Sequence, residues 1–221
     1  MKKGIILSLA AIGCIFALTG CSGGEERFTA GNYTADGGQV KEIVIDVRDR
    51  AIDISASEDE RIYIDYSDGE KEYYDISLSE SSVLTMKLAD DKEWSDYVGG
   101  KSSEEFRTIS VRIPENILDG LSLSTTNEDI VIAPLSVSDS VVLSSNGGDI
   151  IFDKLDAGRS ISVTGKNGDI SGTIVGGYDD YAISCNVKKG ECNLPESKPG
   201  GEKTLNIENN NGDTDINFEK E

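Results

Sequence analysis

The sequence predicts an all-β protein, a single-stranded β-solenoid with coils of roughly 20 residues, and three observations predict it. From Leu121 to Val175 the chain repeats with a period of 20 residues, so that Leu121, Val141 and Ile161 share one column, and Leu123, Leu143 and Val163 another. Asp129, Asp149 and Asp169, then Ile130, Ile150 and Ile170, then Leu135, Leu155 and Val175 complete a set of columns whose chemistry is kept for three repeats. Polar turns lie between the apolar pairs, with asparagines at Asn127, Asn146, Asn167 and Asn211, and no stretch has helical periodicity beyond a single turn at 115–119. Short alternating strands punctuated in this way stack one coil per repeat on its neighbours.

Within a coil, inward positions occur at three places, 121/123, 130/132 and 135 in the first, which predicts three sides. The Asn-Gly-Asp stretch makes one corner, because Asn and Gly accept the left-handed backbone of a tight turn. Pro114 and Pro134, again 20 apart, mark the next, where a missing amide hydrogen costs no ladder bond. Beyond Val175 the period lengthens: Cys192 and Leu194 lie 22 residues after Ile170 and Gly172, and Ile216 and Phe218 lie 24 further on. The inward alternation survives these insertions, so five coils from Leu121 onward would stack to roughly 24 Å at about 4.8 Å per coil.

The rest of the chain divides by composition. With 221 residues and 37% hydrophobic content there is material for one core and one folded domain. Residues 1–20 read as a lipoprotein signal peptide: Lys2 and Lys3 form a basic start, Gly4 to Leu18 an apolar run, and Leu18-Thr19-Gly20-Cys21 resembles the bacterial lipobox. That resemblance implies cleavage before Cys21 and lipid on its sulfur, an anchor to which each buried methylene contributes about 0.8 kcal/mol. Residues 21–38, rich in Gly, Ser, Thr and acidic side chains, read as a flexible tether. Residues 39–221 form the β-solenoid domain, with N-terminal strands over 39–113, a long loop at 90–105, and regular coils over 114–221.

Charge and composition bound the chemistry. The formal net charge is -20 and histidine is absent, which removes the commonest general base and the commonest metal ligand together. Without Lys2 and Lys3 the exported part has 19 basic against 41 acidic residues, or -22, and should repel nucleic acid while attracting cations and basic peptides.

The run VRIPENILDGLSLSTTNEDIVI, followed by SSNGGDI, TGKNGDI and NNNGDTDI, resembles the DUF4097 family of adhesin-like proteins over roughly residues 40–220. The resemblance implies a surface-exposed solenoid, in a family some of whose members are linked to envelope stress in Gram-positive bacteria. It implies no catalytic residues. The chain departs from the family pattern at Glu128, where the turn glycine is missing, and at Lys189-Gly190-Glu191.

Four groups of residues carry candidate chemistry. The column of Asp129, Asp149 and Asp169, joined by Asp213, offers one carboxylate per coil, which suits either turn capping or, as the lesser alternative, Ca2+. Asn127, Asn146, Asn167 and Asn211 suit stacked amide ladders. Cys185 and Cys192 both point inward by strand parity, as a disulfide across the Lys188-Lys189-Gly190 turn or as small core residues. Tyr63, Tyr66, Tyr73, Tyr74, Trp94 and Tyr97 cluster in the first half, with Trp94 and Tyr97 in the long loop as the candidate binding aromatics. No catalytic residue, metal site or cofactor is expected; a polysaccharide-acting β-helix enzyme is the remote alternative, since paired carboxylates without a nucleophile motif are weak support.

The expected function is therefore a non-catalytic, adhesin-like or scaffold lipoprotein on the extracellular face of a Gram-positive cell membrane, binding a protein or glycan in the envelope. The alternative is an envelope-stress component whose acidic surface captures cationic antimicrobial peptides. Steep salt dependence would mark the second.

Overall fold

The computed structural model describes residues 27–90 and 103–220. The signal segment, Cys21, and the loop residues Trp94 and Tyr97 lie outside them. The chain forms two nine-stranded sheets packed face to face, and almost every coil gives one strand to each. Period-2 alternation is what permits this: on strands such as Ser140–Ser145 and Ser160–Gly165, every second residue is buried.

The central coils follow the sequence columns. Strands β8 (Gly120–Thr125), β11 (Ser140–Ser145) and β13 (Ser160–Gly165) pair in parallel, with Leu121, Val141 and Ile161 in register. On the opposite sheet β9 (Ile130–Ile132), β12 (Ile150–Ala157) and β14 (Ile170–Val175) align Ile130, Ile150 and Ile170. All six of these apolar side chains are at most 1% exposed. Burying each contributes roughly 2 kcal/mol, so packing rather than turn chemistry holds the stack together.

The three sides expected from the inward positions reduce to two. β12 runs through the anticipated corner and pairs with both β9 and β10 (Leu135–Val137), so positions 130/132 and 135 belong to one bent sheet. The bend is a bulge: Lys154 adopts φ +47° between the inward Phe152 and Leu155. β14 lacks the extra residue, so the fifth column ends on the buried Ile174, opposite Leu155, and Val175 is only half-buried.

Coil order is the larger departure. In the first sheet β2 (Glu42–Asp46) inserts between β8 and β6 (Val83–Asp90), and in the second β3 (Ala51–Ala56) inserts between β9 and β7 (Thr108–Ile113). At the other end β17 (Lys203–Asn209) lies between β13 and β15 (Tyr181–Val187), while β18 (Thr214–Glu219) follows β14. The final coil is thus tucked beneath the one that precedes it in sequence. Residues 195–202 carry the chain back: β16 (Ser197–Lys198) crosses antiparallel on the outer edge of β15, then Gly200 and Gly201 turn with φ +90° and +94°. A Cβ on Gly201 would meet the Asp180 carbonyl oxygen at 2.5 Å, so glycine is needed for that passage.

The N-terminal end is closed by antiparallel strands. β4 (Arg61–Gly69) covers β7, β5 (Glu72–Leu78) covers β6, and β1 (Phe28–Asp36) pairs along the whole of β4. Residues 28–36, assigned by composition to the tether, are therefore a sheet strand. Its small, polar residues conceal this because its stabilising partners come from elsewhere: the Tyr66 ring lies over Gly31, and Phe28 stacks on Phe106 with centroids 4.8 Å apart. Beneath β5, Arg50 is 2% exposed and donates to Glu72 at 2.6 Å, to the Tyr74 hydroxyl at 2.8 Å and to the Asp49 carbonyl at 3.0 Å.

Candidate functional site

The turn columns are joined by bonds from backbone amides to aspartate carboxylates. Asp129 Oδ1 accepts the amide of Asp149 at 2.8 Å, Asp149 Oδ1 that of Asp169 at 2.7 Å, Asp169 Oδ1 that of Asp213 at 2.8 Å, and Asp213 Oδ1 that of Glu191 at 2.8 Å. One carboxylate oxygen per coil is thus engaged in tying coils together, which is the turn-capping role. Among the described residues no cluster of three or more acidic or cysteine side chains is arranged to hold a metal ion.

The asparagines behave differently from stacked amides. Asn167 donates to the Asn146 backbone carbonyl at 3.1 Å, Asn127 donates to the Asp49 carboxylate at 2.6 Å, and the Asn211 carbonyl accepts the Gly168 amide at 3.0 Å. The side-chain amide that bridges coils internally is Asn209, which donates to the Gly168 carbonyl at 3.0 Å. It continues a column of inward polar residues in which Thr125 donates to the Arg50 carbonyl and Ser145 to that of Glu128. This column was legible as Thr125, Ser145 and Gly165 at a spacing of 20.

Glycine forms the tightest contact. A Cβ on Gly148 would sit 2.1 Å from the Glu128 carbonyl carbon, one on Gly168 2.4 Å from the Gly148 oxygen, and one on Gly212 2.0 Å from the Gly168 oxygen. Gly190 stacks on Gly212 in the same way. Glu128 begins this column, which explains its departure from the pattern; its side chain pairs with Arg107.

Among the described residues, the first-half tyrosines do not form one platform. Tyr66 and Tyr74 make an edge contact at 5.1 Å and pack on the core, Tyr63 donates to Asp59 at 2.8 Å, and Tyr73 is exposed. Burial raises the Tyr74 hydroxyl above its ordinary range, opposed in part by the Arg50 charge.

A cleft of about 250 Å3 opens instead at the C-terminal corner, between Asp156, Val175, Gly176, Gly177, Asp180, Lys203 and Lys220. Sequence reading missed it because its walls come from β12, β14, β17 and the end of β18. A 3-10 turn at Tyr178–Asp180 forms one side, fixed by the Gly177 amide donating to Asp180 Oδ2 at 2.6 Å. Tyr181 is buried next to Gly176: its hydroxyl donates to the Val175 carbonyl at 3.1 Å, and burial, reinforced by Asp156 and Asp180, pushes it up to about 12. Lys203 pairs with Asp156 at 3.1 Å and stands 5.7 Å from the Tyr181 ring centre. Tyr178 is 41% exposed, held by Phe218 edge-on at 5.5 Å and by Lys198 at 4.8 Å from its ring centre. Lys220 makes no ion pair among the described residues. The cleft offers the Lys220 ammonium group, the paired Lys203 and Asp156, and Asp180, and the exposed Tyr178 ring stands on the adjoining 3-10 turn. These are the elements that recognise an anionic, hydroxyl-bearing ligand.

Cys185 and Cys192 come together as parity suggested, as free thiols with sulfur atoms 3.1 Å apart. Among the described residues no helix is long and apolar enough to cross a membrane.

The Toastrack DUF4097 family model matches residues 40–221. No curated protein matches the sequence. Among solved structures, one named as a candidate cell adhesion protein from Clostridium sporogenes is 12% identical, with 88% of this chain and 100% of that chain covered and a TM-score of 0.65. A candidate adhesin from Parabacteroides merdae is 15% identical, with 86% and 81% covered and a TM-score of 0.36. At these identities the likeness to the first is one of fold.

Proposed function

The chain belongs to the Toastrack DUF4097 family, and on that footing we propose that it is a non-catalytic, adhesin-like binding module, held on the outer face of a bacterial membrane by lipid on Cys21. Its recognition site is the C-terminal corner cleft, and its partner is an envelope glycan bearing carboxylate or phosphate groups. The observation that carries this reading is that Lys220, without an ionic partner among the described residues, lines the cleft in a protein of net charge -20, while the exposed ring of Tyr178 stands on the 3-10 turn beside it. Against so acidic a surface, a local cation directs an anionic group to one place. The ring adds an apolar contact that salt does not screen.

The test is binding of the purified protein to anionic wall fragments, neutral glycans and cationic antimicrobial peptides, each at low and high salt. Binding to the anionic fragments, weakened by Lys220→Glu and by Tyr178→Ala and only partly lost at high salt, supports the proposal. Fragment binding indifferent to both substitutions overturns the cleft. Binding to cationic peptides alone, abolished by salt, replaces the reading with electrostatic capture by the acidic surface.

A further inference from the structure

We infer that Cys185 and Cys192 are a thiol oxidation site, where exchange with an external disulfide closes a bond that latches the outermost coil over the tucked C-terminal coil. Cys185 is buried on β15 and Cys192 is half-buried where the chain crosses to the other sheet, with their sulfur atoms 3.1 Å apart. The turn between them holds the outer flank of the final coil. The Lys189 carbonyl accepts the Gly212 amide at 2.9 Å, the Glu191 carbonyl accepts the Thr214 amide at 2.8 Å, and the Glu191 amide donates to Asp213 Oδ1 at 2.8 Å. Next to Cys192, the Asn193 side chain clasps the strand edge, accepting the Ile216 amide at 3.0 Å and donating to the Ile216 carbonyl at 2.9 Å.

This flank also carries a polar side chain in the core. Thr214, bridged to Cys192, stands in the column otherwise filled by Ile130, Ile150 and Ile170. It is 2% exposed, and its hydroxyl has no hydrogen-bond partner among the described residues. A buried unpaired hydroxyl favours any motion that admits water, so the turn over it gains most from a covalent tie.

The chemistry balances with a small-molecule disulfide as oxidant. The Cys192 thiolate attacks one sulfur of the external disulfide, forming a mixed disulfide and releasing one thiolate, which takes up a proton. Cys185 then gives up its proton and attacks the Cys192 sulfur, releasing the second thiolate, so that two protein thiols are oxidised and one disulfide is reduced to two thiols. Burial, with Cys192 beside it, pushes the Cys185 thiol up to about 12, so the first attack falls to Cys192, the more exposed of the two, and Cys185 reacts only once the Cys192 sulfur is held against it as a mixed disulfide.

The experiment is to incubate the native, purified protein with oxidised glutathione, alkylate the remaining thiols, and map tryptic peptides; Lys188 and Lys189 separate the two cysteines. The expected product is a Cys185–Cys192 link without glutathione, reversed by dithiothreitol, whereas Cys185→Ser should hold glutathione on Cys192. Native proteolysis within residues 181–220 should then be roughly tenfold slower, or more, in the oxidised form. A persistent glutathione adduct in the unsubstituted protein overturns the site, and equal cleavage of linked and reduced protein overturns the latch.

Discussion

Asp169 Oδ1 accepts the backbone amide of Asp213 at 2.8 Å across 44 residues of sequence, in the place where a spiral followed in chain order would have brought Glu191. Glu191 sits one coil further out, on Asp213. Cross-linking reads this order directly. Ser162 pairs with Asn206 and Asn206 with Ser184, all on the outer face of one sheet. A short thiol cross-linker should therefore join Ser162→Cys to Asn206→Cys efficiently and should fail with Ser162→Cys and Ser184→Cys, which the final coil separates. Efficient linking of the second pair would refute the tucked arrangement.

The glycine column allows strain and crowding to be separated. Gly168 has φ +145° and an added Cβ would meet the Gly148 oxygen at 2.4 Å, whereas Gly200 has φ +90° and a Cβ there would meet nothing within 4 Å among the described residues. Gly200→Ala should cost about 1 kcal/mol from backbone strain alone. Gly168→Ala adds a collision with immovable backbone and should cost about 3 kcal/mol or more. Urea denaturation of both variants gives the comparison, and equal losses would contradict the close stacking.

Burial of the Arg50 guanidinium makes its partner indispensable. Glu72→Gln leaves the charge in the core with a weaker acceptor and should destabilise the protein by about 3 kcal/mol, while Arg50→Met combined with Glu72→Leu should lose much less. Thermal denaturation of the two variants tests the asymmetry. A double variant as unstable as Glu72→Gln would mean that packing, not an uncompensated charge, sets the cost.

Tyr181 predicts a loss of stability in alkali. Its folded-state value of about 12 lies above the 10.0 of an unperturbed phenol, so the folded protein keeps a proton that the unfolded chain gives up. The contribution is complete below pH 10 and disappears as pH rises through 12, an effect on the order of 2 kcal/mol. Stability measured from pH 9 to 12 should fall less steeply in Tyr181→Phe than in the unsubstituted protein. Tyr33, Tyr66 and Tyr74 are raised too, so some slope should remain.

Much of the fold was legible in the columns. Ile130, Ile150 and Ile170 occupy one buried row because a 20-residue repeat returns them to the same place in each coil, and the aspartates before them bond coil to coil for the same reason. The cleft was not legible. Asp156, Asp180, Lys203 and Lys220 share no period, and nothing local to any of them marks it as one wall of an opening. The strand at 28–36 was hidden likewise, since Gly31 supplies no side chain and draws its cover from Tyr66 on another strand.

By itself the sequence determined the class of fold, the spacing of the coils, which side chains face inward, and the nearness of Cys185 to Cys192, because each depends on alternation and turn chemistry within a few residues. Tertiary structure alone decided that there are two sides rather than three, which coil lies next to which, and where the cleft opens. The physical reason is degeneracy. Coils that present the same isoleucine, aspartate and glycine positions can stack on one another in several orders at similar cost, and burial rewards each alike. What selects among them is the reach of the connections, the β4–β5 crossing between sheets at one end and the residues 195–202 crossing at the other, together with contacts such as Asn209 on Gly168 that arise once the coils have met.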